Sequence, residues 1–228
     1  MKITVLGTGM VGKTIAQKLA ELGHEIVIGT RDVAKTMTNT EPDRAGLPPV
    51  MDLIEGKKMT VRKFEEAALD SEAIFNCTGG LVSLEVLKAI GAENLDGKLL
   101  VDIANPLDFS QGMPPFLNPV NTTSLGEQIQ SAYPKVRVVK TLNTMTASLM
   151  VNPRKLNSSH NVFVCGNYKS AKEVVNQLLV SFGWQPSEII DLGDITNARG
   201  TEMLLPIWLR IWGAIETAEF NFSIVRNH

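Results

Sequence analysis

A run of six residues near the start, Gly7-Thr8-Gly9-Met10-Val11-Gly12, constrains this chain more than any other feature. It is a G-x-G-x-x-G, and its surroundings give the pattern meaning. Residues 2–6 (KITVL) are a continuous apolar run that reads as a buried strand. Val11, Ile15, Leu19 and Leu22 then recur at the helical period, and Gly23 stands where a left-handed C-cap is expected. Residues 25–29 (EIVIG) supply a second strand at the spacing of a βαβ unit. Each glycine has a physical task. Gly7 permits the tight turn, Gly9 lets the backbone approach a pyrophosphate, and Gly12 lets the helix pack close on the strand. The helix N-terminus offers free N–H groups and a positive dipole end to the phosphates. The bland alternative is a glycine-rich turn without a ligand; the strand, helix and second strand around it argue against that.

The end of the second strand reads Gly29-Thr30-Arg31-Asp32. A site that prefers NAD places Asp or Glu there to bond the ribose 2′-hydroxyl. Thr30 occupies that position instead. A carboxylate would repel a 2′-phosphate, whereas a hydroxyl can donate to it. Arg31 adds a planar guanidinium, and Lys35 a third polar group one helical turn later. The cofactor expected is therefore NADP(H). Arg31 and Lys35 can also be read as solvated surface charges, and Asp32 as a partner that weakens Arg31.

Strand-like runs continue at residues 59–61, 73–77, 98–104, 136–140, 161–165 and 188–192, with helical segments between most of them. Ser124 to Glu127 looks like a capping box. This alternation predicts an α/β fold: a Rossmann-type, doubly wound, mostly parallel sheet covered on both faces. The 228 residues fit one NAD(P)-binding domain, at roughly 100–200 residues per domain. Residues 1–195 make the core, and an appended helix over 197–225 carries Trp208, Trp212, Phe220 and Phe222. That helix is apolar on more than one face, so it is expected to close part of a cleft or to join two subunits in a homodimer. Two stretches break the rhythm, 36–58 and 107–123, and their roles are open.

Composition narrows the function classes. An apolar fraction of 44% excludes wholesale disorder, and a net charge of −2 leaves no basic excess for nucleic acid. Cys77 and Cys165 are not spaced as a disulfide scaffold or a zinc module; they read as small buried hydrophobes in a reducing, cytoplasmic setting. No secretory signal is apparent at Met1, and the most apolar late stretch, 204–215, is interrupted by Arg210 and shorter than the ~20 residues a membrane span needs. His24 reads as structural, His160 lies in a polar turn and His228 is the last residue. No metal-ligand spacing appears.

The chain resembles a known family over nearly its whole length. The likeness is strongest in residues 7–31, 102–106 (DIANP), 138–150 (VVKTLNTMTASLM), 164–166 (VCG) and 191–202 (DLGDITNARGTE). It is similar to the NADP oxidoreductases dependent on the deazaflavin coenzyme F420, and to the reductase domain of the six-transmembrane epithelial metalloreductases. The resemblance puts the 2′-phosphate contacts on Thr8, Thr30, Arg31 and Lys35. It puts the nicotinamide and flavin region on Thr78, Gly79 and Gly80, on Asn105 and Pro106, and on residues 143–147, from Asn143 to Ala147. The deazaflavin enzymes carry histidine where this chain has Asn143, and the metalloreductase domain carries asparagine and uses an ordinary flavin. The implied hydride partner is a small molecule: coenzyme F420, FMN or FAD.

Hydride transfer between nicotinamide and a flavin-type ring needs little acid–base help, which suits a chain without an obvious catalytic acid. A rival enzymatic reading uses Lys140 and Asn143 to polarise the carbonyl or imine of a small substrate; otherwise Lys140 is a strand-end charge reaching solvent and Asn143 fixes loop backbone or a cofactor amide. A third reading is a non-enzymatic NADPH-binding redox sensor. Met145, Met150 and the tryptophans read as packing, with Trp208 or Trp212 alternatively lining a pocket for a flat ring.

Overall fold

Alternation along the strands decides the architecture. In β1 (Lys2–Leu6), Ile3 and Val5 enter one core and Leu6 the other. In β5 (Leu99–Asp102), Leu99 and Val101 face the first core and Leu100 the second. Strands buried on both faces must be covered twice, and the helices between them do so. The computed structural model describes residues 1–43 and 46–227; Arg44 and Ala45, within the 36–58 stretch, and His228 lie outside the described residues.

The remaining strands are β2 (Glu25–Thr30), β3 (Met59–Lys63), β4 (Ala73–Asn76), a small hairpin of β6 (Leu107–Asp108) and β7 (Phe116–Leu117), β8 (Arg137–Thr141), β9 (Val162–Cys165) and β10 (Ile189–Asp191). The helices are α1 (Met10–Glu21), α2 (Val33–Thr38), α3 (Val50–Ile54), α4 (Phe64–Ala67), α5 (Gly80–Ile90), α6 (Ala92–Leu95), α7 (Leu125–Ala132), α8 (Ala147–Val151), α9 (Lys169–Ser181) and α10 (Ala198–Ile215). Among the described residues, eight strands form one sheet in the order β10-β9-β8-β5-β4-β1-β2-β3, parallel throughout except where β9 runs against β8. The order turns back between β1 and β4. The carboxyl ends of those two strands therefore flank the crevice where a doubly wound sheet receives its ligand.

Local signals behave as the residues suggest. Gly23 sits at φ +87°, and the N–H groups of Gly23 and His24 return to the carbonyls of Ala20 and Leu19, closing α1. Ser124 Oγ accepts the Glu127 N–H at 3.1 Å and donates to Glu127 Oε2 at 2.8 Å, so the capping residues of α7 bond one another. Of the 36–58 stretch, residues 36–38 complete α2 and 50–54 form α3.

The end of the chain differs from expectation. The helix stops at Ile215, with Glu216 at φ +55°, instead of running to 225. The segment beyond folds back. Phe222 O accepts the Asn161 N–H at 2.9 Å, Asn161 Oδ1 accepts the Ile224 N–H at 2.7 Å, and the Phe220 ring stacks on Trp208 with centroids 5.1 Å apart. The aromatic spacing that resembles a helical face is satisfied by a return strap. His160, expected in a polar turn, follows a bend and is itself buried, with Nε2 donating to Pro153 O at 3.0 Å, Nδ1 accepting from Asn221 at 2.7 Å and its ring edge against Trp184. Among the described residues no helix is long and apolar enough to cross a membrane.

Candidate cofactor site

The glycine turn connects β1 to α1. Gly7 adopts φ +107°, closed to side chains, and its N–H is held by Gly29 O at 3.0 Å, which ties the turn to β2. A Cβ on Gly12 would lie 2.1 Å from Gly7 O, so only hydrogen fits where α1 passes the turn. Above Gly9, by contrast, a Cβ would meet nothing within 4 Å. Gly9 is the N-cap of α1, no side chain caps that helix and no acid stands in its first turn. Open space over uncapped N–H groups suits a pyrophosphate. Met10 is 43% exposed beside it, and Val11 turns toward the core.

Next to the turn lies a cleft of about 310 Å³, lined by Thr8, Thr30, Arg31 and Lys35 together with Lys13, Thr36 and Pro49. The four residues expected around a 2′-phosphate thus share one concavity. Arg31 is exposed, and among the described residues no acidic side chain pairs with it. Asp32, expected as a rival partner, instead caps α2 by accepting the Lys35 N–H at 2.9 Å. Thr30 is nearly buried, and its Oγ1 lies 2.8 Å from Thr36 Oγ1. Thr36 spends its proton on Asp32 O at 2.8 Å, so Thr30 must be the donor of that pair. To donate to a phosphate, the Thr30 hydroxyl has to turn away from Thr36.

Lys13 is the residue that sequence reasoning missed. It is buried in the first turns of α1, and its ammonium meets Asp43 at 2.6 Å, Leu47 O at 3.1 Å and Pro48 O at 3.0 Å. It holds Asp43, Leu47 and Pro48 beside the cleft that Lys13 and Pro49 help to line. A lysine directly after the last glycine of the turn was the available signal.

The loops expected at the nicotinamide end also converge. Asn105 Nδ2 donates to Asn143 O at 2.8 Å, and Asn143 Nδ2 returns to Asn105 Oδ1 at 2.9 Å. That exchange fixes both amides and leaves the buried Asn143 Oδ1 without a hydrogen bond among the described residues. Leu142 beside it is held at φ +62°, a strained setting for a leucine. Thr78 bonds Asn76 Oδ1 through its hydroxyl at 2.7 Å, exposed Gly79 caps α5, and Gly80 N–H reaches Asn105 O at 3.2 Å. Pro106 and Ala147 are buried at the roots of their loops. Gly7 ties the two ends together, because a Cβ there would stand 2.8 Å from Cys77 O and 3.4 Å from Thr78 N.

Lys140 corrects the expectation of a strand-end charge in solvent. It is fully buried. Its three N–H groups go to Asp102 Oδ2 at 2.8 Å, Glu202 Oε1 at 2.9 Å and Ala104 O. Burial pulls its pKa down, but Asp102 and Glu202 more than offset that and hold the ammonium above the ordinary lysine value. Burial likewise pushes the Cys77 thiol up, with the Asp102 charge adding to it, and pushes Cys165 up to about 12. Among the described residues, no group of three or more His, Cys, Asp or Glu is placed to hold a metal ion.

The chain is similar in sequence and fold to known proteins. The family model described as "NADP oxidoreductase coenzyme F420-dependent" matches residues 2–106. The crystal structure of a putative F420-dependent NADP-reductase from Arthrobacter sp. FB24 is similar at 55% identity and a TM-score of 0.92, covering 99% of this chain and 100% of that one. The F420-dependent NADP reductase of Methanothermobacter marburgensis is 24% identical over 221 residues, 92% of each chain. Metalloreductase STEAP3 of Rattus norvegicus is 29% identical over 217 residues, 91% of this chain but 38% of that protein. The chain spans about two fifths of the length of the curated metalloreductases it matches.

Proposed function

The chain belongs to the family of coenzyme F420-dependent NADP oxidoreductases, and from that premise we propose that it exchanges hydride between NADPH and a flavin or deazaflavin ring. Dependence on NADP(H) comes with the family; the acceptor is the proposed part. The observation that carries it is the state of Lys140, whose three N–H groups are all accepted by buried partners. Reduction of a small ketone or imine requires a proton delivered to the substrate heteroatom. Lys140 has none to lend, and burial keeps the Cys77 thiol from ionising. Exchange between two flat rings asks mainly for alignment and exclusion of water.

The geometry supports the following residue roles. The uncapped N–H groups of α1 around Gly9, Met10 and Val11 hold the pyrophosphate. Thr8, Thr30, Arg31 and Lys35 hold the 2′-phosphate from the walls of their shared cleft. Thr78, Gly79, Asn105, Pro106, Asn143 and Ala147 frame the nicotinamide, and the open Asn143 Oδ1 suits an amide donor. NADPH, when bound, supplies the hydride. The exposed Met203, Ile207, Trp212 and Ile215 of α10 support pairing of two copies through that helix, and the unpaired cysteines suit a cytoplasmic setting.

Absorbance assays of NADPH oxidation with coenzyme F420, FMN, FAD and a set of small ketones and imines test the reading. Turnover with at least one ring acceptor is expected. Turnover of a ketone or imine alone, in the absence of any flavin, overturns it. Sedimentation of the purified chain as a monomer at all concentrations removes the pairing through α10.

A further inference from the structure

The carboxyl ends of β4, β5 and β8 carry an unusual row. Register places Asn76 beside Asp102 and Asp102 beside Lys140, all on one face of the sheet, among otherwise apolar side chains. Each is fully buried. Asp102 Oδ1 accepts from Asn76 at 2.9 Å and from the Ala104 N–H at 3.2 Å, while Lys140 takes Asp102 Oδ2 and the Ala104 carbonyl. Both backbone groups of Ala104, the residue before Asn105, are therefore gripped from beneath. Asn76 in turn receives the Thr78 hydroxyl. A Cβ on Gly80 would lie 2.3 Å from Asn105 O, so the 78–80 and 104–106 loops sit backbone on backbone. Asn105 then passes the constraint to Asn143.

The third ligand of Lys140 comes from far along the chain. Glu202 lies on α10, and its carboxylate accepts the N–H groups of Leu125 and Gly126 at 2.9 and 3.1 Å, at the start of α7, as well as Lys140 at 2.9 Å. One cation and two carboxylates leave a net negative charge in the core, which the positive end of α7 faces. Removing any member leaves the others unbalanced in a medium that penalises unpaired charge.

We propose that Glu202 is a positioning residue: through Lys140 it fixes the Ala104–Asn105 backbone, and with it the Asn105–Asn143 pair, so that the C-terminal helix sets the geometry of the nicotinamide end. The functional half of this inference rests on the cofactor reading above; the structural half does not. The test is Glu202→Gln in the full chain, which removes the charge and leaves one acceptor oxygen for the Leu125, Gly126 and Lys140 donors. Amide hydrogen exchange should rise tenfold or more in residues 103–107 and 142–146 and stay within twofold in residues 1–31. NADPH affinity, set mainly by the 2′-phosphate cleft, should change less than threefold. The rate of hydride transfer to the best ring acceptor should fall tenfold or more, with a larger isotope effect from deuterated NADPH. If Glu202→Gln does not fold, Lys140→Met/Glu202→Gln serves, because it removes one charge of each sign and keeps the buried net charge; the same exchange pattern is expected. Arg199→Ala breaks the other side-chain hydrogen-bonded contact between α10 and α7, at Glu127, and should leave exchange at 103–107 and 142–146 unchanged. Unchanged exchange in both Glu202 variants, or an equal rise in Arg199→Ala, overturns the inference. Failure of the wild-type protein to use any ring acceptor overturns the functional reading alone, and the exchange data still decide the positioning role.

Discussion

Arg31→Ala removes the guanidinium from the wall of the phosphate cleft and leaves its neighbours in place. The expected size of the effect comes from the surroundings of that side chain. Arg31 is exposed, so its attraction to a 2′-phosphate is screened by water and salt. At about 4 Å and an effective dielectric of about 20, two unit charges attract by about 4 kcal/mol. Solvent exposure and the remaining Lys35 reduce the loss to that of one charge-assisted hydrogen bond, about 1.5–3 kcal/mol. At 1.4 kcal/mol per decade, NADPH affinity should fall about 10- to 150-fold. No competing acid has to be released first, because Asp32 is engaged as the cap of α2. NADH lacks the phosphate, so its affinity should move less than twofold. Equilibrium titration of wild type and variant with both nucleotides, at low and moderate salt, reads this directly, and the gap between them should narrow as salt rises. Equal losses for NADPH and NADH, or tighter binding of NADH by the wild type, refute the assignment of Thr30 and Arg31 to the 2′-phosphate.

Three further outcomes are expected. Lys13→Met withdraws the donor that holds the Leu47 and Pro48 carbonyls; a loss of about 1–3 kcal/mol should lower the melting temperature by several degrees, and limited proteolysis should cut first between residues 39 and 49. Arg199 contacts Glu127 at 2.7 Å and, by that bond first, holds the Glu127 carboxyl below its ordinary value. A depressed carboxyl contributes stability above its unfolded pKa and loses it as pH falls through the folded one. The urea midpoint of Arg199→Ala should therefore lie below wild type at pH 7, and the gap should shrink as pH falls below the ordinary carboxylate range; a constant gap refutes the ion pair as its source. Cys165, fully buried and pushed up to about 12, should resist iodoacetamide at pH 8 in the native protein and react once it is unfolded.

The residues differ in how plainly the chain announces them. The glycine turn and Thr30/Arg31 are local: strand, turn, helix and second strand follow within 30 residues, and the structure keeps the four 2′-phosphate candidates in one cleft. The polar row beneath the nicotinamide loops is not local. Each strand shows only a short apolar run followed by a polar residue, AIFN, LLVD or VVK, and nothing but sheet register reveals that Asn76, Asp102 and Lys140 stand side by side. Glu202 is further hidden, 62 residues past Lys140 on a helix that looks merely apolar. The mistaken length of that helix has a simple source. Aromatic residues continue past Ile215 with no glycine or proline to mark a stop, and what ends the helix is a left-handed glutamate and a strap that packs back on Asn161.

That left-handed glutamate bears on how this protein would be made hardier. Among the described non-glycine residues, Asn121, Leu142 and Glu216 adopt positive φ. Asparagine tolerates the conformation. Leu142 does not, but its side chain is 1% exposed in the core, so a glycine there would relieve the torsion and open a void of about 2–5 kcal/mol. Glu216 is exposed at the end of α10, where helices ordinarily place glycine. Glu216→Gly exchanges no packing for the relief, about 1 kcal/mol, or about 2–4 °C in a domain of this size. Thermostabilisation would thus begin at the surface end of α10, while the equally strained leucine beside Asn143 stays as it is.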